Sequence, residues 1–178
     1  MSCAPYVPSP PDVVTKMLEV ADVGPKDVVY DLGCGDGRVL FTAVQDFKAK
    51  KAVGYEINEN RYNNIVKEIE RLNLQDKIKV FNKNLFEADL SEATVITLYL
   101  TTYANNNLRP KLTKETHQGT RIVSHDFSVD DWKFLKKEHF SNHSIYLYSV
   151  PESINKKDEA SAKKGSSSFL NRFFKRIR

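Results

Sequence analysis

Residues 28–38 read Val-Val-Tyr-Asp-Leu-Gly-Cys-Gly-Asp-Gly-Arg, and Val53-Gly54-Tyr55-Glu56 follows one helix later. An apolar strand therefore runs into three alternating glycines, Gly33, Gly35 and Gly37, and a second strand ends on a carboxylate. Glycines at a strand-to-helix turn allow a tight bend and let a ligand approach the backbone. A carboxylate at the next strand tip, Glu56, is placed to accept hydrogen bonds from ribose hydroxyls. The dinucleotide fingerprint begun at Gly33 would require Gly or Ala where this chain has Arg38. Asp31 and Asp36 would also repel a pyrophosphate, whereas S-adenosylmethionine carries an ammonium and a sulfonium that suit acidic and carbonyl groups. The loop is thus expected to hold S-adenosylmethionine. Asp31, Gly33, Cys34, Gly35, Asp36 and Gly37 would meet its methionine end, and Glu56 its ribose. Asn84 and Leu85, just after the third strand, would lie near the adenine.

The elements that position these residues follow from hydrophobic periodicity. Pro5, Pro8, Pro10 and Pro11 mark an irregular N-terminal arm over residues 1–11. Val13, Val14, Met17, Leu18, Val20 and Ala21 then form a helical pattern that Gly24-Pro25 ends. Strands are expected at Val28–Leu32, Lys51–Glu56, Ile78–Phe81, Thr94–Leu100 and Thr120–Ser124. Helices are expected after the glycine loop, from about Glu59 to Leu72, and from Asn105 to His117. A last hairpin pairs about Trp132–Phe140 with Ser144–Val150. Alternating strands and helices imply an α/β, Rossmann-like, mostly parallel sheet, and a C-terminal antiparallel hairpin makes it the seven-strand class I methyltransferase pattern. The catalytic domain is expected over residues 12–150, with Trp132 in its core.

Composition narrows the reading. The chain has 178 residues with 40% hydrophobic side chains, enough for one domain with tails. No run approaches the roughly 18 apolar residues of a membrane span, and the N-terminus has no basic-then-apolar signal pattern. Two cysteines without zinc spacing suit a reducing cytoplasm. Cys34 reads as a small residue in the glycine loop, and His117, His139 and His143 share no metal spacing, so no metal is expected. His125 and Asp126, after the fifth strand, read as a capped strand end. The formal charge of +4 belongs to the tail: residues 152–178 hold 8 basic and 3 acidic side chains, while residues 1–151 hold 19 and 20. A near-neutral body disfavours a nucleic-acid-gripping face.

Residues 151–168 are Lys/Ser-rich and read as a flexible linker. In the tail, residues 169–178, Phe169, Leu170, Phe173, Phe174 and Ile177 fall within an arc of roughly 140° at about 100° per residue. Arg172, Lys175, Arg176 and Arg178, with Asn171, fill the other side. A basic amphipathic segment of this kind suits an anionic membrane surface or an acidic partner. It gives an expected location in the cytoplasm, peripheral to the inner face of the membrane.

The body resembles one group of class I enzymes, the archaeal broad-specificity protein-lysine methyltransferases. Their eukaryotic relatives act on the ATP-synthase c-subunit and the adenine nucleotide translocase. The resemblance is carried by Pro5-Tyr6-Val7-Pro8, by Tyr30 to Arg38, by Gly54-Tyr55-Glu56-Ile57-Asn58, by Leu100-Thr101-Thr102-Tyr103-Ala104-Asn105 with Leu108-Arg109-Pro110-Lys111-Leu112, and by Val123-Ser124-His125. A more distant likeness is to the histone lysine methyltransferases that lack a SET domain. After the fourth strand there is neither an Asn/Asp-Pro-Pro-Tyr/Phe motif, as in amino-methylases of flipped bases, nor a Pro-Cys nucleophile. The resemblance implies in-line methyl transfer to a lysine amine of protein substrates. An aromatic channel suits an alkyl-ammonium; Tyr6 and Tyr103 are the candidates, with Thr101 and Thr102 at its mouth. The alternatives are an RNA or small-molecule methyltransferase with the same cofactor pocket, and a non-catalytic cofactor-binding subunit that docks through its basic tail.

Overall fold

The computed structural model describes residues 6–154. The amphipathic tail and most of the expected linker lie outside the described residues. The chain order is α1 (Pro11–Val20), β1 (Val28–Leu32), α2 (Arg38–Gln45), β2 (Lys51–Tyr55), α3 (Glu59–Arg71), β3 (Ile78–Phe81), β4 (Val95–Leu98), α4 (Thr102–Glu115), β5 (Arg121–His125), β6 (Lys136–Phe140) and β7 (His143–Ser149), with a single 3-10 turn at Leu85–Glu87. The seven strands form one sheet in the order β3-β2-β1-β4-β5-β7-β6. The first five are parallel, and β7 runs antiparallel to both β5 and β6.

Both sheet faces are covered, which is why the central strands are apolar throughout rather than alternating. β4 is buried at every position. One layer packs α4 and the 129–132 segment against the sheet, with Leu98, Leu108, Leu112, Ile122, Trp132 and Tyr148 at its centre. Trp132 is 6% exposed and edge-on to Tyr148, a core residue as its sequence context suggested. The other face takes α1 and α2 through Val13, Met17, Leu18, Val39 and Ala43, while α3 docks through Ile65 and Ile69.

Element boundaries differ from the periodicity reading in two places with a clear cause. α4 begins at Thr102 rather than Asn105, because Thr101 caps it: its hydroxyl accepts from the Ala104 N–H at 3.2 Å. The β4 strand stops at Leu98, leaving the half-buried Tyr99 and the buried Leu100 between the strand and that cap. Residues 151–154 are packed, not linker: the Ser153 N–H donates to the Ser149 carbonyl, Lys133 N–H donates to Ser153, and Ser153 is buried.

The order in which successive strands are added reverses between β1 and β4, since β2 and β3 lie on one side and β5 on the other. The crevice beyond the carboxyl ends of these strands is where such a sheet binds its ligand.

Candidate active site

A pocket opens at that crevice, and strand ends supply much of its lining. Asp31 comes from β1, Glu56 and Ile57 from the end of β2, Asn84 and Leu85 from the turn after β3, and Tyr99 and Leu100 from the end of β4. The arm residues Tyr6 to Ser9 form the remaining wall.

The loop after β1 is built for close approach. Gly35 and Gly37 have φ of 60° and 81°, values open to glycine at no steric cost. A Cβ on Gly35 would sit 2.7 Å from the Tyr6 ring, and one on Gly37 would press on Phe41 and Ile65. Gly37 opens α2, so the start of that helix faces the loop. Gly33 and Cys34 both donate to the Tyr55 carbonyl at 3.0 Å, locking the loop to the tip of β2. Cys34 is buried, and burial, together with the charges of Asp31 and Glu56, pushes its thiol well up. It is a packed, unreactive side chain.

The two carboxylates differ in how they are compensated. Glu56 is 4% exposed and accepts three hydrogen bonds, from Gly35 N–H (2.9 Å), Asn58 N–H (2.7 Å) and the Arg61 guanidinium (2.9 Å). Asp31 is similarly buried but meets no cation among the described residues: Thr97 Oγ1 donates to its Oδ1 at 2.7 Å. Burial pushes its pKa up to about 7, against the Thr97 bond and with help from the negative charges of Asp36 and Glu56. Asp36 behaves oppositely. Burial would raise it, but the hydrogen bonds from Arg38 outweigh that and hold it below the usual carboxylate range. Its carboxylate takes Arg38 Nε at 2.9 Å and is therefore already paired, which the sequence reading of Asp36 as a cofactor contact did not foresee.

Arg38 also reaches the arm, donating to the Ser9 carbonyl at 2.6 Å. The Arg61 guanidinium that holds Glu56 stacks over the Tyr6 ring, 4.5 Å from its centroid. The arm is thus strapped to the glycine loop at two points, with the half-exposed Tyr6 closing over Gly35.

Other candidates are placed as follows. Leu85 lines the pocket and is buried. Asn84 lines it too, but its side-chain oxygen accepts from Phe86 N–H at 3.1 Å and so caps the turn. Thr101, Thr102 and Tyr103 are absent from the pocket lining; Thr101 is spent on the cap, and Tyr103 is 75% exposed on the first turn of α4. Tyr99 lines the pocket in their place, its ring stacked on His125 at 3.8 Å. Periodicity assigned Tyr99 to a buried strand, and only the strand's early end exposes its role. His125 is fully buried, and desolvation drives its pKa down to about 4, with Asp126 opposing and His143 assisting.

S-adenosylmethionine fits these residues on one test internal to the structure. A desolvated carboxylate with no cation, Asp31, stands at the loop where an ammonium would bring one. Glu56 offers a second carboxylate at the far tip, and Gly35 and Gly37 between them leave little room for a Cβ.

A seven-strand sheet with this loop and these two carboxylates defines an S-adenosylmethionine-dependent methyltransferase of class I. The profile of the ANTKMT methyltransferase domain matches residues 31–136, and the chain belongs to that family. It is similar to a protein-lysine N-methyltransferase of Saccharolobus islandicus (strain REY15A), with 48% identity over 152 residues, 83% of this chain and 94% of that protein. It also matches the adenine nucleotide translocase lysine N-methyltransferase of Mus musculus, with 28% identity over 146 residues, 82% of this chain and 63% of that protein. Among solved structures, an RNA methyltransferase from Salinibacter ruber in complex with S-adenosyl-L-homocysteine superimposes with a TM-score of 0.80 at 40% identity, covering 84% of this chain and 97% of that one.

Proposed function

We propose that the chain methylates lysine ε-amines of protein substrates. The observation that carries this reading is the 48% identity to a protein-lysine N-methyltransferase along nearly its whole length. Bound S-adenosylmethionine supplies the electrophilic methyl group and a positive charge. The protein's part is to align the amine and keep water out. Asp31 and Glu56 fix the donor's two ends, and Tyr6 and Tyr99 border the space the amine enters, with faces that suit an alkyl-ammonium. A lysine amine at a reference pKa of about 10.4 must shed its proton first; desolvation between the two rings and the nearby cationic donor both favour that. Tyr103, 75% exposed on the first turn of α4 and outside the pocket lining, is assigned to contact with the substrate polypeptide rather than the amine.

A second acceptor class, RNA, is kept because the solved Salinibacter ruber structure carries that name. The near-neutral body weighs against it. Incubating the purified chain with methyl-labelled S-adenosylmethionine and a mixed protein and RNA extract, then hydrolysing, separates the two. Label in N-methyl-lysine is the expected result; label in nucleosides overturns the reading.

The basic amphipathic pattern of residues 169–178 supports a further part of the proposal: attachment to anionic membrane surfaces, with membrane-associated proteins as substrates. Flotation with anionic vesicles should separate the full chain from a truncation after Ile154, and equal behaviour would discard this part.

A further inference from the structure

Outside the cofactor pocket, three ligating atoms converge at the carboxyl end of β5. His125 Nε2 lies 2.9 Å from His143 Nδ1, His143 Nδ1 lies 2.8 Å from Asp126 Oδ2, and His125 Nε2 lies 3.3 Å from the same oxygen. Their arrangement is enforced. Asp126 sits in the left-handed backbone region (φ 59°), and its Oδ1 accepts from Ser144 N–H at 2.8 Å, which turns Oδ2 toward both imidazoles. On the other side of the His125 ring, Ser9 Oγ lies 2.8 Å from Nδ1. With Nδ1–H donating to Ser9, Nε2 presents a lone pair to the cluster. His125 Nε2, His143 Nδ1 and Asp126 Oδ2 are then three potential ligand atoms facing one another within 3.3 Å.

We propose that His125, Asp126 and His143 form a three-ligand site for a divalent transition metal of the zinc class. A tetrahedral zinc at about 2.0–2.1 Å from each ligand would space them roughly 3.3 Å apart, against the 2.8 to 3.3 Å observed, so only small rotations are needed. The donor set suits zinc, cobalt or nickel more than magnesium or calcium, which prefer all-oxygen sites. Ser9 is the outer partner that a metal-binding histidine characteristically has. His143 and Asp126 are about one-quarter exposed, which leaves an entry side and a position for water. The site also has a lever on the pocket. Metal fixes the His125 ring, against which both Ser9 of the arm and Tyr99 of the pocket wall are set.

The test uses the full chain, stripped with a chelator and titrated with cobalt(II). One equivalent should bring up the visible absorption of low-coordinate cobalt, and zinc should bleach it. His143→Ala and Asp126→Asn should each lose cobalt affinity by at least tenfold, and Ser9→Ala by roughly tenfold, the usual cost of an outer partner. His139→Ala, which changes an exposed histidine on β6, should bind as the parent does. Zinc should raise the melting temperature of the parent and not of His143→Ala. Circular dichroism of each metal-free variant checks its fold, and the titration of the parent is decisive without any of them. Absence of a stoichiometric cobalt spectrum in the parent overturns the proposal, as does parental affinity in a folded His143→Ala.

Discussion

Asp31→Asn should make the cofactor-free protein more stable and the enzyme worse. In the folded protein the Asp31 pKa is about 7, raised mainly by burial, and in an unfolded chain it is about 3.9. A raised folded value means that the native state binds the proton more tightly. The favourable contribution is complete below about pH 4 and is lost as pH rises through 7. Three units correspond to about 4 kcal/mol at most; water reaching the pocket reduces this, so about 2–4 kcal/mol is expected. Asparagine keeps an oxygen for the Thr97 hydroxyl and has no charge to desolvate. Thermal melts of cofactor-free parent and variant should therefore coincide only below about pH 4 and separate by roughly 5–15 °C at pH 8, the variant melting higher. S-adenosylmethionine should reverse the order: its ammonium compensates Asp31 in the parent alone, so the parent gains a large ligand-induced shift and the variant little. Parent binding should also tighten as pH rises from 5.5 to 8, with proton release measurable by calorimetry in buffers of different ionisation enthalpy. A variant that melts at or below the parent at pH 8 would refute the claim that Asp31 is an uncompensated carboxylate.

Three further outcomes are expected. Glu56→Gln keeps the side-chain shape but cannot accept as well from Gly35, Asn58 and Arg61; cofactor affinity measured by calorimetry should fall at least tenfold. Tyr6→Ala removes the ring lying over Gly35 and beneath Arg61. It should lower turnover several-fold, more than it weakens cofactor binding, as read from steady-state kinetics beside a binding isotherm. Asn105 is fully buried and donates to the carbonyls of Phe127 (3.0 Å) and Ser128 (3.3 Å); Asn105→Ala should cost about 2 kcal/mol in urea unfolding, since it strands buried acceptors.

The sequence was most legible where one local rule decides the outcome. Alternating glycines between an apolar strand and a helix specify the loop, and the carboxylate at the next strand tip follows from it. The seven-strand order could be inferred because alternating strands and helices admit few topologies. What escaped was set by contacts distant in the chain. Ser9 and His125 are 116 residues apart yet hydrogen-bonded, and nothing in a proline-rich arm signals where it will lie. The histidine pair was hidden by linear spacing. In the sheet His125 stands opposite Ile145, which makes His143 its diagonal neighbour on the same face. Knowledge that β5 and β7 pair antiparallel in this register would have revealed it. The pairing of Asp36 escaped for a different reason: an acidic residue in a ligand loop looks unpaired in sequence, whereas Arg38, two positions on, folds back onto it.

The switch in strand order between β1 and β4 divides labour along the polypeptide. The pocket-lining side chains proposed to grip the donor come from one contiguous stretch, Asp31 to Leu85, while Tyr99 and Leu100, with the arm strapped across, line the side proposed for the acceptor. Substitutions in the later stretch can redirect the methyl group without rebuilding the donor's cradle. A fold so partitioned is predisposed to change clientele: acceptor choice is free to drift while the costly part, holding a charged nucleoside in a half-dry crevice, is inherited intact.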